Sequence, residues 1–305
     1  EFFVSTFREW RLYIETFLKW LVIASLIGGA GGLIGAIFHH SIDMAEVFRS
    51  THPWLLWLLP IAGLLIVGFY KMTRTEGLNT NHVIRAVHKG KRLSVLLMPA
   101  IFFATVLTQL CGGSAGREGA ALQMGGTIGQ WIGRGLYLDD SDLRIATLAG
   151  MAAFFSALFG TPLAAAVFAV MVISIGILYH VALVPCLIAS LSAYFLAGAL
   201  GVQPVRFAVQ VPEASAMTFF QVGFLGILCA LVSIFFCMMM HGAEKGMRKI
   251  LPNAWLRVLA GAGIIIVLTY LCGTYDYNGV GMGVIAAAIE EGKAEPLAFL
   301  LKLVF

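Results

Sequence analysis

Gly112-Gly113-Ser114-Ala115-Gly116-Arg117-Glu118-Gly119-Ala120 sets a single carboxylate, Glu118, between two apolar segments. Its glycines admit backbone conformations that other residues resist and let N–H groups turn inward. An apolar run over 120–131 follows at once and reads as a helix with Glu118 at its N-terminus. Helix N-termini attract anions through unpaired N–H groups and aligned peptide dipoles. A charged side chain at membrane depth is a functional position by default. A carboxylate held where an anion binds would compete with that anion and carry a proton.

Composition supplies the membrane. The 305 residues are 60% hydrophobic and 12% charged, with mean hydropathy +0.90. Soluble domains carry about 25% charged residues, so this is the composition of an integral membrane protein in the cell membrane. Apolar runs cover about 18–47, 53–70, 93–111, 120–136, 143–158, 162–178, 181–200, 216–240, 256–272 and 296–305, which leaves no separate soluble domain. Several are shorter than the ~20 residues that a helix needs to span. Gly125, Gly126, Gly129, Gly133 and Gly135 interrupt one run, and Thr161-Pro162-Leu163 restarts another. Short, interrupted helices point to a transporter with its site near mid-membrane rather than to a simple bundle.

The remaining features are mostly structural. The net charge of +4 is loop charge facing a membrane surface and carries no nucleic-acid footprint. Lys71, Arg74, Arg85, Lys89, Lys91 and Arg92 place the 71–92 segment on the cytoplasmic side. Residues 1–10 are amphipathic and read as a surface helix ahead of the first span. The five cysteines, an odd number with no CxxC spacing, read as buried, inert thiols. The histidines show no metal spacing, and neither a metal nor another cofactor is implied. Gly28-Gly29-Ala30-Gly31-Gly32 reads as close helix packing. Ser141 or Asp140 reads as the cap of the helix that follows. Phe154, Phe155, Phe159 and Phe168 read as packing, and Ser156 and Thr161 as hydroxyls bonded to their own helix backbone.

The chain also repeats itself. Residues 77–91 and 279–293 agree at Gly77/Gly279, Val83/Ile285, Ala86/Ala288, Val87/Ile289, Gly90/Gly292 and Lys91/Lys293. Upstream, Gly63 to Tyr70 resembles Gly263 to Tyr270, each behind a Pro/Trp-bearing start at Pro53 and Trp54 or Pro252 and Trp255. Matches in the same order indicate two homologous halves. Residues 1–200 read as a first transmembrane repeat with its surface helix, and 201–305 as the start of a second, inverted one. The counterpart of the Glu118 loop would fall after Phe305, so the second half is expected to be incomplete.

Residues 112–120 with the following helix, then Phe159-Gly160-Thr161-Pro162-Leu163-Ala164-Ala165-Ala166-Val167-Phe168, resemble the CLC family of anion channels and proton-coupled anion antiporters. The resemblance covers nearly the whole chain. It implies an all-α polytopic membrane protein with a CLC-like inverted-repeat fold of short, broken helices. It further implies a homodimer in the lipid bilayer with one pore per subunit, and Glu118 as the gating, proton-carrying glutamate.

Three departures from that family's pattern inform the substrate. Where the chloride-type members have Gly-Ser-Gly-Ile-Pro, this chain has Gly77-Leu78-Asn79-Thr80-Asn81, with Leu78 or Asn79 in place of the serine. The proline after Gly-Arg-Glu-Gly is Ala120 here, and nothing in the sequence explains that change. Where chloride/proton exchangers carry a second glutamate on the Pro-Leu helix, Met171 and Val172 stand. The first and third departures resemble the fluoride-exporting branch.

Fluoride is small and strongly hydrated, so its site must return strong donors. Gly77, Leu78, Asn79, Thr80 and Asn81, with Gly116, Arg117, Gly119 and Ala120, are the candidate anion-binding residues. Arg117 serves either to attract anions or to pair with a loop carboxylate. The expected function is fluoride export in exchange for protons, with a chloride/proton exchanger or chloride channel as the alternative. A third reading, an intramembrane enzyme, would use Glu118 with a histidine and has only Ser114 as a nearby nucleophile.

Overall fold

The computed structural model describes residues 2–89, 91–172, 179–207, 213, 215–293 and 297–305. Among them run twelve α-helices and no strand: α1 (Phe2–Thr51), α2 (Leu59–Met72), α3 (Thr80–Lys89), α4 (Leu97–Leu110), α5 (Glu118–Gly135), α6 (Asp140–Phe159), α7 (Pro162–Met171), α8 (Leu183–Ala199), α9 (Ala216–Ile250), α10 (Ala254–Cys272), α11 (Met282–Glu290) and α12 (Ala298–Val304). Short 3-10 turns, Pro53–Leu58 and His180–Ala182, lead into α2 and α8. Six helical stretches are long and apolar enough to cross a membrane, and α4 and α7 are shorter apolar helices. The protein is an all-α, multi-pass membrane protein. The end of the 162–178 run, Gly90 of the repeat and the start of the 296–305 run lie outside the described residues.

The chain forms two compact units. The first comprises Glu1–Pro53, Gly68–Leu110 and Ala115–Val205. Its centre is α6, whose most apolar window is 78% buried. Small residues let neighbours approach it closely. A Cβ on Gly129 would collide with Ala146 O on α6, and one on Gly150 would collide with Gly125 O on α5. The α1 glycines work the same way: a Cβ on Gly32 would stand 2.9 Å from Ala193 O, and one on Gly31 would stand 2.9 Å from Ala153 Cβ. Without a hydrophobic force between helices in lipid, such close backbone packing is a main source of association. Phe38 and Phe154 fill the wider gaps, with ring centroids 5.9 Å apart. Ser156 Oγ crosses to α8 and donates to Ser190 O at 2.8 Å rather than to its own helix.

The second unit comprises Trp54–Val67, Cys111–Ser114 and Arg206–Phe305. The 3-10 turn and the first half of α2 meet α10: Trp57 Nε1 donates to Tyr270 Oη at 3.0 Å, and a Cβ on Gly63 would collide with Val258. The matched helices α3 and α11 begin at corresponding positions, Thr80 and Met282. Gly77 and Gly279 both hold the left-handed backbone ahead of them, at φ +77° and +67°. The 35-residue α9 has no buried residue although its apolar window has mean hydropathy 2.6. Such a surface calls for cover by lipid or by further protein.

Several local expectations are corrected. The surface helix does not precede the first span as a separate piece, because α1 runs unbroken over 50 residues. At 1.5 Å per residue that is about 75 Å, well beyond a ~30 Å hydrocarbon core. The α5 glycines do not interrupt their helix; Gly125, Gly126, Gly129 and Gly133 line its face against α6. Asp139, not Ser141 or Asp140, caps α6, accepting from Asp142 N at 2.8 Å. All five cysteines are free, yet only Cys111 and Cys186 are buried. Cys229 and Cys237 are exposed because they lie on α9.

Candidate functional site

The loop that carries the carboxylate follows α4. Gly112 takes a left-handed conformation, φ +78°, that a side chain would strain. Gln109 Nε2 then donates to Ala115 O at 2.6 Å and ties the loop to the helix it has just left. Helix α5 starts with Glu118 as its first residue, and Ala121 N closes the first turn on Arg117 O at 3.0 Å. The N–H groups of residues 118–120 have no carbonyl four residues back within the helix. A carboxylate on the first turn is stabilised by the same dipole that attracts an anion. The Glu118 side chain is exposed and folds back over Gly116, where a Cβ would collide with Oε2. No described residue donates a hydrogen bond to this carboxylate. It therefore has a place to rest and nothing to hold it there.

A second helix start comes to the same place. Asn79 caps α3: its Oδ1 accepts from His82 N at 3.1 Å. Thr80, the first residue of α3, has its Oγ1 3.3 Å from Gln123 Nε2 of α5. A Cβ on Gly119 would lie 3.2 Å from the same Thr80 oxygen. The N-terminus of α3 thus abuts the first turn of α5 through Thr80, Gly119 and Gln123. Gln123 Oε1 is buried without a protein partner. Leu78 is half-buried and packs against the core, whereas Gly77, Asn79 and Asn81 are exposed. Ala120 is buried and can offer only its backbone. No described hydrogen bond joins Gly77, Leu78, Asn79 or Asn81 to Glu118.

Arg117 is not paired with a loop carboxylate. It is 6% exposed, and its guanidinium lies 5.4 Å from the Phe159 ring centroid. Nη1 is 3.3 Å from His39 Nδ1, and His39 Nε2 is 3.2 Å from the Asp43 carboxylate. A guanidinium can only donate, so His39 accepts at Nδ1 and presents an Nε2–H to Asp43. Arg117 Nε, buried, has no protein partner. A buried cation with an unmet donor, one residue ahead of the carboxylate, suits an anion. Phe159 therefore does more than pack.

Sequence reasoning missed His39, Gln109, Gln123 and Gln130. Gln130 bridges α5 to the segment before α4, accepting from Leu93 N at 2.7 Å and donating to Lys91 O at 3.0 Å. The available signal was a pair of glutamines, Gln123 and Gln130, in a largely apolar helix, which lipid would not tolerate without partners. At the far end, α7 stops at Met171 with Val172 as its cap, and neither side chain titrates.

Comparison with known proteins places these features. Residues 61–305 match the family described as "Voltage gated chloride channel". A "Chloride/fluoride channel protein" of Pseudomonas syringae pv. tomato is 32% identical over 94% of this chain and 65% of its own length. An "H(+)/Cl(-) exchange transporter ClcA" of Cronobacter sakazakii is 31% identical over 50% of this chain and 36% of its own. This chain thus spans about two thirds of the first relative and a little over a third of the second. Among solved structures, a CLC-type fluoride/proton antiporter superposes with TM-score 0.87 at 29% identity, over 94% of this chain and 73% of that one. A slow cyanobacterial chloride/proton antiporter gives TM-score 0.76 at 21% identity, over 93% and 72%, which is likeness of fold.

Proposed function

Because the chain belongs to the voltage-gated chloride channel, or CLC, family, we propose that it exchanges an anion, fluoride, for protons and so expels fluoride from the cell. The observation that carries this reading is the Glu118 carboxylate. It is exposed, stands at the start of α5 and has no described protein donor. Ionised, it occupies the positive end of α5. Protonated, it leaves that end to an anion or donates a hydrogen bond to it. One carboxylate and one anion taking turns at the same helix start produce exchange.

The choice of fluoride rests on chemistry and on likeness. Unpaired N–H groups at the starts of α3 and α5, the Thr80 hydroxyl and the Arg117 guanidinium make a donor-rich setting for a strongly hydrated ion. By the family resemblance, Leu78 or Asn79 takes the place of a chloride-type serine, and Met171 and Val172 that of a second proton carrier. The Pseudomonas relative and the solved antiporter both carry fluoride in their names. The bilayer and a second copy of the chain complete the proposed assembly.

The test is ion efflux from proteoliposomes holding the full-length protein, loaded with fluoride or chloride, with external pH followed at the same time. Fluoride efflux with coupled proton uptake, abolished in Glu118→Gln, supports the reading. Equal or faster chloride efflux makes this a chloride exchanger, and flux that survives Glu118→Gln without proton movement makes it a channel.

A further inference from the structure

Arg117 is the N-cap of α5, and its side chain makes no capping hydrogen bond there. An N-cap aspartate or serine would occupy free N–H groups of the first turn. An arginine has no acceptor to offer and leaves them open. It also adds a full charge where the helix dipole is already positive, which costs free energy unless the guanidinium is engaged elsewhere. The engagement comes from α1. His39 Nδ1 lies 3.3 Å from Arg117 Nη1, and His39 Nε2 lies 3.2 Å from the Asp43 carboxylate. His39 and Asp43 are four residues apart and share one face of α1. The next residue, His40, has its Nε2 3.0 Å from the carbonyl oxygen of Leu200, the C-cap of α8, which anchors the same turn of α1. All of these residues belong to the first unit.

The order cation, imidazole, carboxylate matters. A carboxylate set directly against Arg117 would form a strong, often bidentate pair and take up the donors that an anion needs. A neutral imidazole engages Nη1 without cancelling the charge, and the buried Nε has no protein partner. For His39 to accept at Nδ1, its proton must sit on Nε2, and the hydrogen bond at one ring nitrogen decides the state of the other. Asp43 accepts from Nε2–H and so selects that tautomer. The opposite tautomer would aim an N–H at the guanidinium and leave Nη1 without its acceptor. Asp43 is half-exposed and balances the buried charge from one ring away. Without His39, the described side-chain partner left to the guanidinium is the Phe159 ring, whose centroid is 5.4 Å from Cζ.

We propose that His39 and Asp43 are positioning residues: Asp43 fixes the tautomer of His39, and His39 holds the Arg117 guanidinium at the start of α5 with Nε left for the transported anion. This rests on the anion-transport reading above and deepens it, naming what keeps that cation in place without neutralising it.

The experiment measures fluoride efflux against fluoride concentration, and thermal unfolding in detergent, for the full-length wild type, His39→Leu, His39→Gln, Asp43→Leu, Asp43→Asn, Arg117→Gln and the His39→Leu/Arg117→Gln double variant. One lost hydrogen bond corresponds to about a threefold to tenfold change in affinity. His39→Leu and Asp43→Leu should each raise the apparent KM for fluoride by about that factor, with little change in maximal flux. The amide of His39→Gln can accept from Arg117 and donate to Asp43, and the carbonyl of Asp43→Asn still accepts from Nε2–H. Both conservative variants should recover most of the loss. The double variant should match Arg117→Gln alone, because His39 acts through that guanidinium. A pair that merely supports the fold would lower the unfolding temperature and maximal flux and leave KM in place, and that result overturns the proposal. A double variant worse than Arg117→Gln by the full His39→Leu factor overturns it as well. If His39→Leu does not fold, Asp43→Leu decides, since its side chain is half-exposed, and an unchanged KM there overturns the proposal. Absence of flux in the wild type would instead overturn the anion-transport reading itself.

Discussion

Gly150→Ala tests whether close backbone packing of α5 on α6 holds the site in place. A Cβ at 150 would lie 2.8 Å from both N and Cα of Gly129, besides meeting Gly125 O. Carbon contacts settle near 3.5–4.0 Å, so the helices would have to part by roughly 0.7–1.2 Å at that level. The atoms met are backbone, and no rotamer change relieves them. Overpacking of this kind costs about 1–3 kcal/mol. Alanine also gains ~1 kcal/mol over glycine in a helix, which masks part of the cost. Gly198→Ala isolates that gain, because nothing lies within 4 Å of a Cβ there. Gly150→Ala should therefore unfold in detergent with a stability about 1–3 kcal/mol below that of Gly198→Ala. Equal stabilities, within ~0.5 kcal/mol, would refute the packing argument. Since α5 begins with Glu118, the same variant should also change the flux assigned to that residue.

Four further outcomes follow from local geometry. Gly116→Ala adds its methyl against the flexible Glu118 carboxylate rather than backbone; thermal stability should hold within ~0.5 kcal/mol while fluoride flux changes, and unchanged flux in proteoliposomes would count against Glu118 resting there. Asp139→Ala removes the α6 cap and should cost about 1 kcal/mol, with Asp140→Ala costing less in the same denaturation series. Asn79→Ala should cost α3 a similar ~1 kcal/mol, read as faster amide exchange over residues 80–84. Burial first, then the charges of Arg85 and Lys91, hold the His82 pKa below its usual 6.5. The unfolded chain then binds this proton more readily, so the contribution of His82 to stability is present above that value and declines as pH falls through the window beneath it. His82→Gln should flatten the decline in thermal unfolding between pH 7 and pH 5, and an unaltered slope would contradict the assignment.

Most of the fold was legible because lipid simplifies the code. An apolar run must become a helix when no water is present to meet its backbone groups. The runs at 143–158, 181–200 and 256–272 each became α6, α8 and α10 within a few residues. Glycine was the misleading signal. In water, five glycines in one run argue against a helix, whereas in α5 two of them, Gly125 and Gly129, let the α6 backbone come close enough to touch. The polar α3 and the short α11 were not among the apolar runs and surfaced only through the repeated motif, where two chain positions 202 apart both start a helix behind a left-handed glycine.

At the site, the loop glycines and the position of Glu118 were readable because each depends on adjacent residues. The partners of that loop were not, because they come from distant sequence. Gln109 and Gln123 sit in or beside apolar runs where their polarity alone gave no direction. His39 lies 78 residues before Arg117, and no spacing rule connects them. What joins them is the cost of an unmet donor away from water: each buried N–H must find an oxygen or a ring nitrogen, and the fold supplies it from whichever helix passes nearest. The atoms left over carry the functional information. Arg117 Nε and Gln123 Oε1 are buried without a protein partner, on either side of the start of α5. Both belong to the segment that carries Glu118. In the proposed exchange, an anion that arrives when Glu118 withdraws would answer the Arg117 donor, and the protonated carboxylate, as a donor itself, would suit an acceptor of the Gln123 kind.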